Sequence, residues 1–295
     1  MTLELDAIFA RQGGVASSPQ ILQVIDMGTM QRYLRHGQLV KLWPNVYSQG
    51  AVDPVTRLRG LDLRCGEPVA VCLGTAAALY GFDTQGVSAL HVLNPVGQQL
   101  RNRLGLLVHR REGAPLIEYE GQLVTAPAWT AVEVARSLDR PRALATLDAA
   151  LRTGTCSTAD LVATGVQQTG RRGIVGVREL IPLARPQAES AMESEARLVM
   201  LDGSLPEPVL QFEVVDRDGR LWRLDFAWPD QLLAVEYDGF EYHSSPEHLR
   251  RDRQKRAALE ELGWVIISIV GDDVRRRPAE LVRRIDSWLY SRAAA

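Results

Sequence analysis

Apolar residues in the first 50 positions recur at helical spacing and then give way to short alternations. Leu3, Leu5, Ile8 and Phe9 fall on one side of a helix that Gly13 and Gly14 end. Ser17 or Ser18, ahead of Pro19, caps a second short helix through Ile21, Leu22 and Ile25. A third helix is expected over 28–36, with Met30, Tyr33 and Leu34 as its apolar side. Gln31, Arg32, Arg35 and His36 are its polar residues, and Gly37 its C-cap. Residues 39–42, which include Lys41, and 46–47 then read as two short strands around Trp43-Pro44-Asn45. Asparagine tolerates left-handed backbone better than most residues, so Asn45 suits that turn.

From 53 to about 184 the pattern is mixed. Apolar helices are expected at 69–80, 129–138 and 143–151, interleaved with strands at 89–93, 106–109 and 122–125, an α+β arrangement. His91 and His109 lie on expected strands without a third ligand at a recognisable spacing, and read as satisfied polar residues. The glycine-rich, basic stretch 170–176 reads as a connector.

The last third combines strand periodicity with acids. A helix over 190–201 presents Glu193 and Arg197 four residues apart. A strand at 210–215, the turn Asp216-Arg217-Asp218-Gly219 and a strand at 221–227 carrying Asp225 follow. After a turn at 228–231, the largely apolar and therefore central strand 232–237 carries Glu236, and Asp238 closes it. The period of two puts Glu236 and Asp238 on one face, and an antiparallel turn sets Asp225 opposite Ala234 or Val235, diagonal to Glu236. Three converging carboxylates repel one another, and a hard divalent cation such as Mg²⁺ resolves the conflict. A helix from Ser245-Pro246 to Gly263 then turns Asp252 and Arg256 toward the sheet, either as an ion pair that locks helix to sheet or as part of the site. Lys255 points about 60° away from Asp252 at the helical period. A strand at 264–270 and a helix over 278–290 complete the pattern.

Composition adds boundaries to this picture. A chain of 295 residues suits two or three small domains, and 46% hydrophobic with 24% charged residues is ordinary for a globular protein. The longest apolar runs, 69–73 and 265–270, fall far below the ~18–20 residues of a membrane span, and no secretory signal is visible. Three cysteines, too few for a disulfide framework or structural zinc site, fit a reduced compartment. A cytoplasmic protein without membrane contact is therefore expected. The net charge of −2 conceals basic clusters: Arg250, Arg251, Arg253, Lys255 and Arg256 fall within seven residues, and local positive potential is what attracts a phosphate backbone.

Three helices and a two-stranded wing are the order of a winged helix-turn-helix, whose last helix enters the major groove. Residues 33–39 and Asn45-Val46-Tyr47 resemble the N-terminal domain of AbiEi-type antitoxins, and the stretch 74–81 resembles a signature of their central region. The resemblance implies DNA contacts from Gln31, Arg32, Arg35 and Lys41. In the last hundred residues Glu193, the Asp225 strand, Glu236-Tyr237-Asp238-Gly239, His243, Asp252 and Gly263-Trp264-Val265 resemble the PD-(D/E)XK nucleases, among them proteins akin to very-short-patch repair endonucleases. That resemblance implies phosphodiester hydrolysis with Mg²⁺ or Mn²⁺, metal ligation by Asp225, Glu236, Asp238 and Glu193, and a general base at His243. Asp238 stands where the motif has lysine, so Lys255 is the candidate replacement, and Arg251, Arg253 and Arg256 are candidate DNA contacts.

The expected fold is a multidomain α+β chain. It comprises a winged helix over 1–50, an antitoxin-like α+β domain over 53–184 and a restriction-endonuclease-like α/β domain over 187–295. Double-stranded DNA and a toxin-like protein are the implied partners. A non-catalytic antitoxin or transcriptional repressor that uses the nuclease-like fold for binding is the alternative function.

Overall fold

The computed structural model describes residues 2–83, 89–110, 113–239 and 246–293. The chain divides into two compact units, one of 1–79 with 85–130, the other of 80–84 with 131–295.

The first unit begins with α1 (Leu3–Arg11), β1 (Val15–Ser17), α2 (Ser18–Leu22), α3 (Met27–Arg35), β2 (Val40–Trp43) and β3 (Val46–Ser48). Asp26 caps α3 by accepting the Thr29 N–H at 2.9 Å. The strands pair antiparallel in the order β1-β3-β2, so the expected two-stranded hairpin gains a third strand. β1 has only three residues, too few for a period of two to register. Leu5, Phe9, Ala16, Ile21, Ile25, Met30, Leu39 and Tyr47 form the core beneath these elements. Asn45 takes the left-handed conformation at φ 63°.

There follow α4 (Pro54–Cys65), α5 (Leu73–Leu79), β4 (Leu90–Leu93), β5 (Leu106–His109), β6 (Leu116–Tyr119) and β7 (Gln122–Thr125). β4 and β5 pair in parallel, while β6 and β7 form a hairpin. His91 Nδ1 and His109 Nε2 lie 3.1 Å apart, so each ring finds its partner in the other.

α6 (Pro127–Ala135) spans the division between the units, and α7 (Arg140–Arg152), α8 (Thr158–Gln167), α9 (Ile174–Leu180) and α10 (Ala191–Asp202) follow. The expected connector at 170–176 is shorter than anticipated: Gly173 turns with φ 82° and α9 starts at Ile174, whose side chain is buried. A four-stranded sheet then forms from β8 (Val209–Val215), β9 (Leu221–Trp228), β10 (Leu233–Tyr237) and β11 (Val265–Ile269), in the order β11-β10-β9-β8. β10 is central, as an apolar strand should be. α11 (Pro246–Glu261) connects β10 to its parallel neighbour β11, and α12 (Gly271–Arg275) and α13 (Pro278–Ala293) end the chain.

Each face of the sheet has its own core. Phe226, Trp228, Leu233, Val235, Ile267 and Ile269 pack with Ala196 and Met200 of α10 and Leu281 and Ile285 of α13. Trp222, Leu224, Ala227, Ala234 and Trp264 pack with Leu259 of α11. Leu224 and Phe226 are two residues apart yet belong to opposite cores, as are their partners Phe212 and Leu210 on β8. The alternation is broken between them, at Gln211 and Asp225. Gln211 has φ 50°, a left-handed conformation that costs a non-glycine residue about 1–3 kcal/mol.

Candidate active site

The break in β8 and β9 places Asp225 where acids from neighbouring elements meet. Leu233 pairs with Trp228, Ala234 with Ala227 and Val235 with Phe226, so the next step sets Asp225 directly opposite Glu236. The diagonal placement expected from the sequence is corrected. Leu232 leaves the strand at φ 46° and joins the 3₁₀ turn Pro229–Gln231, which lengthens the loop and shifts the register. Asp225 Oδ2 accepts the Tyr237 backbone N–H at 2.9 Å, and Glu236 lies beside Ser268 of β11.

Glu236 and Asp238 line one cavity of about 240 Å³ together with Asp252, Arg253, Lys255, Arg256 and Ser268. Lys255 turns inward from α11, and its ammonium forms an ion pair with Glu236 Oε1. A cation from a helix thus stands beside the acid of the central strand. Asp252 and Arg256 form no ion pair with each other among the described residues; Arg256 donates to Ser268 Oγ at 3.1 Å instead. That corrects the ion-pair reading, because β11 offers the guanidinium a nearer acceptor.

Glu193 is buried on α10, and its carboxylate accepts the Glu189 backbone N–H and the Gln211 side-chain N–H, both at 2.9 Å. It does not pair with Arg197, which is fully buried and donates to both oxygens of Asp148 at 3.0 and 2.8 Å and to the Leu183 carbonyl at 2.6 Å. Burial pushes the carboxyls of Glu193, Asp225 and Glu236 above their ordinary values. Lys255 opposes the shift at Asp225 and Glu236, while the Asp225 charge adds to it at Glu193 and Glu236.

Gln211 was invisible in the sequence, since an ordinary glutamine on a strand carries no motif. Its Nε2 is used by Glu193, whereas its Oε1 is buried without a hydrogen-bond partner. Buried acceptors without donors ask for something positive. Carboxylate and amide oxygens are the donor types that a hard cation such as Mg²⁺ takes, so the residues present fit one chemically. Among the described residues, no group of three or more His, Cys, Asp or Glu is arranged to hold a metal. His243 lies outside the described residues.

The candidate DNA contacts occupy several surfaces. Gln31, Arg32 and Arg35 are exposed on α3, and Lys41 on β2. Arg253 and Arg256 line the acidic cavity, whereas Arg251 lines a second cleft with Arg220 and Arg250. Among the described residues, no helix is long and apolar enough to cross a membrane.

Comparison with known proteins finds two family matches along the chain. Residues 69–183 match the AbiEi antitoxin C-terminal domain, and residues 216–289 match the restriction-endonuclease-like family REase_MTES_1575. Two Mycobacterium tuberculosis proteins are 54% identical over 252 residues, covering 85% of this chain and 93% of theirs. They are "Uncharacterized protein Rv2248" of strain H37Rv and "Uncharacterized protein MT2308" of strain CDC 1551. The chain belongs to the family of these mycobacterial proteins, and it joins an AbiEi antitoxin-type domain to a C-terminal restriction-endonuclease-like domain.

Proposed function

We propose that the chain is a DNA-binding protein of defence or repair type, whose C-terminal domain hydrolyses DNA phosphodiester bonds with the help of a divalent cation. The observation that carries this reading is the inward Lys255, paired with Glu236 on the strand position opposite Asp225. Acid, acid and amine are the side-chain types of a PD-(D/E)XK site, here with the amine drawn from α11. Asp225 and Glu236 would hold Mg²⁺ or Mn²⁺, with Asp238 and Glu193 at hand. Bound there, the cation lowers the pKa of a water and screens phosphate charge. Lys255 holds positive charge beside the scissile phosphate, and Arg253 and Arg256 steady the strand in the cavity. His243 is the proposed general base on the resemblance alone.

The first helices support the delivery of this domain to duplex DNA. Helix, strand, helix, helix and hairpin follow the order of a winged helix, with α3 as the groove-reading helix and β2–β3 as the wing. Gln31, Arg32, Arg35 and Lys41 are its proposed contacts. The purified chain should nick duplex DNA with Mg²⁺ or Mn²⁺, and Asp225→Ala, Glu236→Ala and Lys255→Ala should each lower the rate at least a hundredfold.

A second reading is favoured by the AbiEi match, which covers more of the chain than the nuclease-like one. In it the protein is a non-catalytic antitoxin and repressor that binds a toxin-like partner. Retained DNA binding with no cleavage across substrates and metals would select this reading over the first.

A further inference from the structure

A small basic cavity lies beside the β2–β3 turn in the first unit. Arg64, Arg101 and Arg103 line it, with Trp43, Pro44 and Gln99 among the other walls, and no carboxylate contributes to the lining. Among the described residues none of the three arginines forms an ion pair with an acid. Its volume of about 170 Å³ equals several waters at about 30 Å³ each, enough for one tetrahedral oxyanion.

The backbone of the walls is tied down. Asn94 ties the loop down, donating to the Gln98 carbonyl at 2.6 Å and accepting the Leu100 N–H at 2.9 Å. Arg103 and Leu106 exchange backbone hydrogen bonds at 3.0 and 2.9 Å. Arg57 donates to the Gly105 carbonyl at 2.7 Å, and Arg64 reaches the Pro44 carbonyl at 3.4 Å. Backbone fixed in this way presents the three arginines from one frame, so little backbone ordering is needed on binding.

From this geometry we infer that the cavity is a phosphate site, filled by a backbone phosphate of duplex DNA that lies against the hairpin. The inference rests on the DNA-binding reading above and extends the contact surface from α3 and Lys41 onto residues 99–106. Arginine forks suit phosphate oxygens. A free nucleotide is disfavoured because Trp43 is only 4% exposed and its ring already carries Arg57 at 5.0 Å, so no aromatic face remains for a base. Arg64, Arg101 and Arg103 are exposed, so their replacement leaves the core intact.

The test uses the full chain, with duplex DNA binding followed by fluorescence anisotropy against salt and inorganic pyrophosphate binding followed by calorimetry. The variant Arg101→Gln/Arg103→Gln should flatten the plot of log K against log salt by about 1 to 2 without altering sequence preference. It should also lose the pyrophosphate binding that the parent shows. If the parent binds DNA and the variant keeps its full salt slope, the inference is overturned. If the variant loses pyrophosphate alone, the site is real but its DNA occupant is overturned. If the parent binds no DNA at all, the DNA-binding reading has failed, and the pyrophosphate arm decides the oxyanion site independently.

Discussion

Burial holds the carboxyls of Glu193, Asp225 and Glu236 high, so the folded protein keeps their protons more tightly than the unfolded chain does. Stability of the metal-free protein should therefore fall as pH rises from the ordinary carboxylate range through the raised values. Glu193→Gln, which keeps an acceptor for the Glu189 and Gln211 N–H groups, should flatten that fall. Thermal melts across about pH 4 to 8 check this, and a variant curve parallel to the parent would count against it. Mg²⁺ or Mn²⁺ at neutral pH should raise the parent's melting temperature, and Asp225→Asn should abolish the rise. Single residues also mark the limits of sequence reading. Asn45 was legible because left-handed backbone selects a residue type. Gln211 adopts the same region at φ 50° with no such signature, at a gap in the β8–β9 pairing where its amide donates to Glu193.

Among the elements, the central sheet was readable from alternation and turn chemistry, and the acids stood out because they interrupt apolar strands. Pairings between distant segments were not. Arg197 sits four residues after Glu193, which suggests a local pair, yet its partner Asp148 lies 49 residues back on α7. Both side chains are fully buried, so this ion pair fastens α7 to α10. Asp148→Ala leaves a buried guanidinium uncompensated and should cost about 3–5 kcal/mol. Chemical denaturation measures the loss, and the double variant Asp148→Leu/Arg197→Met should recover most of it. A double variant as unstable as the single one would show that the cost arises from packing instead of charge.

For the whole molecule, the same pair bears on where the chain can be cut. The proposed boundaries 1–50, 53–184 and 187–295 follow composition and turns, but a fragment of 187–295 would carry Arg197 without Asp148. Such a fragment should unfold at markedly lower denaturant than one of 131–295, and Arg197→Met should narrow the difference. Equal midpoints for the two fragments would refute this. The net charge of −2 is no obstacle to DNA, because exposed arginines gather on α3, α11 and around the basic cavity.

Lys255 shares α11 with Arg250, Arg251 and Arg253, so in the proposed reading the helix that would meet DNA also carries the amine beside Glu236. One residue of helical phase is about 100°, enough to swing an ammonium from the sheet into solvent. A strand-borne lysine would stay put whatever the helix did, whereas the place of this amine would follow any shift of α11. A duplex seated on α11 would then hold the lysine in place and a poorly seated one would not, so that, if the domain cleaves, fit would act as the trigger.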